Sequence, residues 1–347
     1  MGDGLELPAF DRLRIAVIGD AVADRYVHAR PSRLSREAPV PVFVEQGEEV
    51  RPGGAANVAA NLAALGCRTT LVAPIGGDQA GRALARDLAA RGIARLAVET
   101  DYRVPVKTRV LASEPHRTPQ QVLRVDREPF APPDARTCER LVEAFPIDAV
   151  DAVLYSDYGY LDLAAFRALD EALRARGVLR VLDPREELPP FAELDAVTPN
   201  LDDFARLVGG GIERPSMRSG GVDDGIDDGL EARVAERARA WRAERGLGTL
   251  LVTLGNRGMV LAHEGGAARV APSGREGVVD VSGAGDTAAA VFAASLAADV
   301  APHHAMALAN AASGEVVMKS GTVPIELDAL RAALVRAPRP QDLEGVA

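Results

Sequence analysis

Arg14-Ile-Ala-Val-Ile-Gly-Asp20 is a short, continuous apolar run that reads as a strand buried on both faces and ending in Gly-Asp. Similar runs recur along the chain and are interleaved with helical patterns. Residues 69–75 precede a helix over 81–91, 149–155 precede one over 163–176, and 178–182 leads to Asp183-Pro184. Residues 196–198 lead to Pro199-Asn200, and a helix over 231–245 precedes a strand over 249–254. Strands alternating with helices imply an α/β fold whose sheet is mostly parallel and wound by right-handed crossovers. Ligands of such sheets collect at the carboxyl ends of the strands, where Asp24 also falls. At 347 residues and 47% hydrophobic content, the chain can bury one large α/β domain, or a domain with a small appendage.

Other segments do not fit that alternation. Residues 39–50, P-V-P-V-F-V-E-Q-G-E-E-V, read as an extended edge strand marked by its prolines. Residues 104–111 and 120–126 alternate like a hairpin. Together they predict a small sheet, drawn from about 25–51 and 103–127, that projects over the strand ends as a lid. Residues 209–230 carry G-G-G, S-G-G and D-D-G-I-D-D-G without the oxygen spacing of a calcium loop, and read as a solvated, mobile insertion.

Composition excludes several function classes. A net charge of −10 offers no basic excess to displace counterions from nucleic acid, so a small-molecule partner is expected. Only Cys67 and Cys138 occur, without metal-ligand spacing, which fits a reducing cytoplasm. No stretch has the length of a membrane span, and residues 1–14 lack the apolar centre of a leader. Gly19 to Asp24 reads G-D-A-V-A-D, not G-x-G-x-x-G, which argues against a nicotinamide dehydrogenase. Among 40 basic residues only Lys107 and Lys319 are lysine; they are either residual surface charges or places that want a compact ammonium.

The motif with most chemical content is Asp280-Val-Ser-Gly-Ala-Gly-Asp-Thr287, which runs directly into an apolar, alanine-rich helix. The amides of a helix's first turn and the positive end of its dipole favour an anion, and Asp286 stands beside them as a candidate base. The alternative is a capped, tightly packed helix start. Arg51-Pro-Gly-Gly-Ala-Ala-Asn57 is a second glycine turn into a helix that stops near Gly66, with Asn57 able to donate to and accept from adjacent hydroxyls. Gly255-Asn-Arg-Gly258 closes a strand as a hairpin turn or as a phosphate or ribose contact, and a last alanine-rich helix over 301–318 carries Asn310.

The order of Gly19 with Asp24, Gly53-Gly54 with Asn57, Thr198-Pro199-Asn200, Thr253 to Gly258 and Asp280 to Thr287 resembles the ribokinase-like, or PfkB, family of carbohydrate kinases over nearly the whole chain. The resemblance implies a three-layer α/β/α core over about 10–335 with a β-sheet lid. It also implies transfer of the γ-phosphoryl of ATP, with Mg2+, to a sugar hydroxyl. Asp286 would be the base, and the amides of Gly283, Ala284 and Gly285 would hold the phosphoryl group. Asp24, Gly53, Gly54, Asn57, Lys107, Arg124 and Asp157 would bind the sugar. Asn200, Thr253, Gly255, Gly258 and Asn310 would line the nucleotide side, and Asp280 with Ser282 would hold a monovalent cation such as K+. A homodimer through the lid is expected as well.

Within the family, Ser35-Arg-Glu-Ala-Pro-Val-Pro-Val42, Ser156-Asp-Tyr158 and Ala309-Asn-Ala-Ala-Ser313 are most similar to kinases of heptose 7-phosphate, which make the 1,7-bisphosphate for ADP-heptose synthesis. Tyr160 and Arg185 stand where those kinases carry lysine, and Asp203 stands where relatives place glutamate. Arg103, Arg109, Arg124 or Arg185 would then compensate at a substrate phosphate, or the acceptor is an unphosphorylated sugar or nucleoside. A non-catalytic ligand-binding relative is the remaining class. With no H-x-G-H segment, the chain is expected to be the kinase alone.

Overall fold

Ile15 and Val17 point to one side of the first strand and Ala16 and Ile18 to the other, and none is more than 1% exposed. The two sets join separate apolar clusters, one on each face of the sheet. A strand covered on both faces needs no polar alternation, which is why the apolar run was continuous. Each fully buried Val, Leu or Ile contributes about 1.5–3 kcal/mol.

The computed structural model describes residues 6–96, 98, 100–113, 119–191, 193–212, 229–274 and 278–343. In chain order they form β1 (Arg14–Gly19), β2 (Ala21–Leu34), β3 (Pro41–Gly54), α1 (Ala55–Ala64), β4 (Arg68–Val72), α2 (Gln79–Ala90) and β5 (Ala94–Arg95). Next come β6 (Val106–Ala112), β7 (Gln120–Arg127), α3 (Ala135–Glu143), β8 (Ala152–Ser156), α4 (Arg167–Ala175), β9 (Leu179–Asp183), β10 (Ala196–Val197) and α5 (Leu201–Leu207). The chain continues through α6 (Leu230–Arg245), β11 (Thr249–Thr253), β12 (Met259–His263), β13 (Gly266–Val270), α7 (Ala284–Ala297), α8 (Pro302–Val316), α9 (Leu327–Leu334) and β14 (Gln341–Asp342). Most of the insertion expected over 209–230, residues 213–228, lies outside the described residues.

Among the described residues the main sheet has the order β14-β13-β12-β11-β10-β9-β8-β1-β4-β5. From β11 to β5 every pairing is parallel, whereas β12, β13 and β14 add antiparallel strands at one edge. The Gly255 to Gly258 turn is therefore the link of the β11–β12 hairpin. Helices α1, α7 and α8 pack on one face, and α3 to α6 on the other, giving the three layers. Residues 288–294 of α7 are all buried, as expected of a helix apolar on every side.

The second sheet has the order β3-β2-β6-β7, with β2 and β6 parallel and the other pairs antiparallel. The hairpin and the edge position of β3 match the sequence reading. β2, one of the two inner strands, begins before the expected range, at Ala21, and its charged and proline residues obscure its pattern. β2 begins in the core at Ala21 and ends exposed at Leu34, with irregular pairing to β3 at His28/Ala29 and Pro31/Arg33.

Gly258 shows how tightly the hairpin meets the sheet edge. Its φ is 86°, and a Cβ there would stand 2.0 Å from the Val270 carbonyl oxygen. Gly258→Ala is expected to destabilise the fold by about 2 kcal/mol or more, combining left-handed strain with a backbone clash. Urea denaturation checks this as a fall in midpoint at unchanged slope.

Candidate active site

The carboxyl ends of β8, β9, β10 and β11 meet the amino end of α7 around a cavity of about 330 Å3. Lys107, Asp157, Tyr158, Asp183, Arg185, Asn200, Asp203, Thr253, Gly283, Gly285 and Asp286 line it. Four parallel strand ends thus supply one crevice, as doubly wound sheets do.

Gly283 caps α7 with φ 78°, and a Cβ there would lie 2.6 Å from Asn57 Nδ2 and from Thr322 Cγ2. Only glycine lets the turn pass this close to α1, and the approach brings Asn57 to Asp286. Gly285 is the opposite case: nothing lies within 4 Å of where its side chain would be, so the first turn of α7 has an open face on the cavity.

Asp286 is 5% exposed. Its Oδ2 accepts from Asn57 Nδ2 at 2.8 Å and its Oδ1 accepts from the Tyr158 hydroxyl at 2.8 Å. Burial raises its pKa to about 6, against the pull of these two hydrogen bonds; nearby Asp24 adds to the rise and Lys107 opposes it. Burial also lifts the Tyr158 phenol well above its ordinary value, so Tyr158 is held as a donor. Asp286 is thus ionised at neutral pH yet far more basic than an exposed carboxylate, the condition a general base needs.

Asp24, on β2, is buried between Arg109 Nη1, which donates to its Oδ1 at 2.6 Å, and the Thr322 hydroxyl, which donates to its Oδ2 at 3.0 Å. Gly53 runs against the same carboxylate, and Gly54 caps α1. Lys107 Nζ lies 4.6 Å from the centre of the Tyr158 ring, and burial lowers its pKa. Arg124 pairs with Asp126 at 2.7 Å on the outer strand. Asp157 accepts from the Gly159 amide at 2.8 Å, and burial raises its pKa, as it does for Asp183 and Asp203.

On the other wall, Asn200 caps α5 through the amides of Asp202 and Asp203, and Thr253 lies beside it across a bridge. Gly255, Gly258 and Asn310 do not line the cavity. Gly255 belongs to the hairpin turn, Gly258 packs on the end of β13, and Asn310 Nδ2 donates to the Ala271 carbonyl at 2.8 Å. Asp280 accepts from the amides of Ser282 and Gly321, each at 2.9 Å, bracing the loop that enters α7. Among the described residues no three His, Cys, Asp or Glu side chains converge as a metal site.

The structure adds Tyr158, Thr322, Asp183 and Asp20 to the residues picked out by sequence. Tyr158, Asp183 and Asp20 sit at or just past carboxyl ends of strands, the signal that singled out Asp24. Thr322 follows α8 in a turn with no such signal. Arg185 and Tyr160, the departures from lysine, meet each other here: the guanidinium interacts with the Tyr160 side chain and donates to the Tyr158 carbonyl.

Comparison with known proteins places the chain in a family. The model of the pfkB family carbohydrate kinases matches residues 12–328. The chain is 38% identical over 336 residues to the bifunctional protein HldE of Pseudomonas fluorescens (strain SBW25), covering 96% of this chain and 66% of that protein. It is 39% identical over 338 residues to the bifunctional protein HldE of Azotobacter vinelandii (strain DJ), with the same coverage, so it spans 66% of the length of these curated relatives. Among solved structures, phosphofructokinase-2 from Escherichia coli in complex with potassium superposes with a TM-score of 0.69 at 18% identity, over 93% of this chain and 99% of that one. Arabidopsis thaliana ribokinase complexed with ribose and ATP gives 0.65 at 20% identity, over 93% and 98%. The family match over residues 12–328 defines a sugar kinase. The chain belongs to the pfkB family of carbohydrate kinases.

Asp286→Asn is expected to fold and to lose phosphoryl transfer by about 100- to 10,000-fold. The raised pKa means that folding favours the protonated carboxyl, a contribution present below the ordinary carboxylate pKa and lost as pH rises through about 6. At pH 7.5 the amide variant should therefore be no less stable than the parent by thermal melting. In the parent, kcat/KM for the acceptor should fall on acidification with a midpoint near pH 6.

Proposed function

We propose that the protein transfers the γ-phosphoryl group of ATP to a hydroxyl of a sugar phosphate, with heptose 7-phosphate as the leading acceptor and heptose 1,7-bisphosphate as product. The observation that carries this reading is Asp286: a buried carboxylate with a pKa of about 6, held by Asn57 and Tyr158 at the open amino end of α7. It is placed and tuned to take the proton of an acceptor hydroxyl as the hydroxyl oxygen attacks. The amides of Gly283, Ala284 and Gly285 would meet the charge that spreads over the phosphoryl oxygens. Asp24 would receive acceptor hydroxyls, with Asn57, Gly53 and Gly54 shaping that side and Asp157 facing it. Asn200 and Thr253 would meet the nucleotide, supported by Gly255, Gly258 and Asn310.

Magnesium, bound with ATP, would neutralise phosphate charge during transfer, and Asp203, whose carboxylate borders the cavity beside Asn200, fits a role toward its water ligands. A monovalent cation is compatible with the Asp280 and Ser282 loop, because each Asp280 oxygen keeps a lone pair beyond the one its amide uses.

Two observations support a phosphorylated acceptor. The relatives that match over 96% of the chain carry the HldE name. In addition, Lys107 and Arg109 alternate onto one face of β6, where Arg124 is directly opposite Arg109. Three cations thus gather beside Asp24. One observation favours an unphosphorylated sugar instead: Arg109 and Arg124 already have carboxylate partners in Asp24 and Asp126. Exposed Val122, Leu123 and Val125 on β7 support a homodimer through the lid. No helix among the described residues is long and apolar enough to cross a membrane.

A panel of phosphorylated and unphosphorylated sugars, assayed by ADP release, separates the two acceptor readings. Turnover is expected on heptose 7-phosphate, and Arg124→Ala should raise its KM by about 10-fold while sparing the KM for ATP. Turnover confined to unphosphorylated sugars would refute the first reading. Sedimentation should give a dimer that Leu123→Asp weakens toward monomer.

A further inference from the structure

We infer that Asp20 is a positioning residue for Asp286, acting through the loop that carries Tyr158. The inference rests on Asp286 being the base.

Asp20 follows the last residue of β1 and is 2% exposed. Its Oδ2 accepts from the amides of Tyr158 and Tyr160, at 2.8 and 3.1 Å. Its own amide donates to the Ser156 carbonyl at 3.1 Å, and its carbonyl accepts from the Ala55 amide at 2.9 Å. One residue thus fixes the end of β8, the turn after it and the first residue of α1. The two donors to Asp286 come from those two tethered segments: Tyr158 from the turn and Asn57 from the start of α1. A buried carboxylate used only to satisfy two amides is an expensive choice, because desolvation raises its pKa to about 6 against the pull of the amides of Tyr160, Tyr158 and Leu161. An ionised acceptor holds both amides more firmly than a neutral one, and that firmness fixes where the phenol of Tyr158 stands. The guanidinium of Arg185 grips the same turn from outside, at the Tyr158 carbonyl.

Loss of the Asp20 carboxylate should therefore loosen the Tyr158 bond to Asp286 and leave the base more weakly stabilised as an anion. Asp24, Asp183 and Lys107 also act on Asp286 electrostatically, from β2, β9 and β6, and are unchanged by the substitution.

The test compares the parent with Asp20→Ala, Asp20→Asn, Tyr158→Phe and the double variant Asp20→Ala/Tyr158→Phe. The titration of Asp286 is read by NMR of carboxyl-labelled aspartate, assigned with Asp286→Asn, and kcat and KM are read on the best acceptor. Asp20→Ala should move the Asp286 titration to higher pH and lower kcat by about 10- to 100-fold, with both KM values nearly unchanged. Tyr158→Phe should do the same, and the double variant should be no worse than the poorer single. Asp20→Asn, which keeps one acceptor oxygen, should shift both readings in the same direction by less, and serves if Asp20→Ala does not fold. Multiplying effects in the double variant, or a lower kcat with an unmoved Asp286 titration, would overturn the inference, as would Asp20→Asn behaving like the parent. The titration needs no substrate, so a parent protein inactive on every acceptor would sink the proposed function and still leave the Asp20 coupling to be read.

Discussion

A carboxylate taken out of water must be compensated, and the architecture around the crevice is arranged so that Asp286 is compensated only in part. Two hydrogen bonds, from Asn57 and Tyr158, keep the anion tolerable, while burial and Asp24 keep it basic. A third strong donor would make it less basic, and one fewer would raise its pKa further. The glycine at 283 belongs to the same balance, since a larger residue would push α7 off α1 and remove the Asn57 bond. The sheet contributes by delivering strand ends to one place with little freedom, because the strands that feed the site are buried on both faces.

The parts of this structure legible from sequence are those whose cause is local. β1, β8 and β11 announce themselves because burial on both faces favours runs of apolar residues, and β9 reads the same way but for Arg180, which is buried against Asp170. The turn into α7 is equally plain, because glycines before an alanine-rich helix have few other uses. β2 was only outlined: the range expected for the lid opens at 25, but Asp24, Arg25, His28, Arg30 and Pro31 break every simple period, so its start at Ala21 and its place between β3 and β6 were not legible. The partnerships that tune the site left no local pattern at all. Asn57 and Asp286 are 229 positions apart, Tyr158 and Asp286 128, and Thr322 and Asp24 298. Gly258 and Asn310 show the converse, since the motif flagged them and the fold gives both a packing task away from the cavity.

The two departures from lysine also have a physical reading. A lysine at either place would offer a point charge to a ligand, whereas Tyr160 and Arg185 engage each other and the Tyr158 backbone. These positions stiffen the turn, and the more buried cations of the lid lie on β6, where Lys107 is half-buried and Arg109 buried.

One element belongs to both halves of the molecule. β2 holds Asp24 in the interior and, past its two pairing irregularities, presents Leu34 to solvent at 71% exposure. Such irregularities bend a strand and absorb twist locally. Here they fall between His28 and Arg33, where burial gives way to exposure. The strand is thereby divided mechanically: the inner arm is held between β3 and β6 around Asp24, while the outer arm can take up strain at its surface without passing it inward.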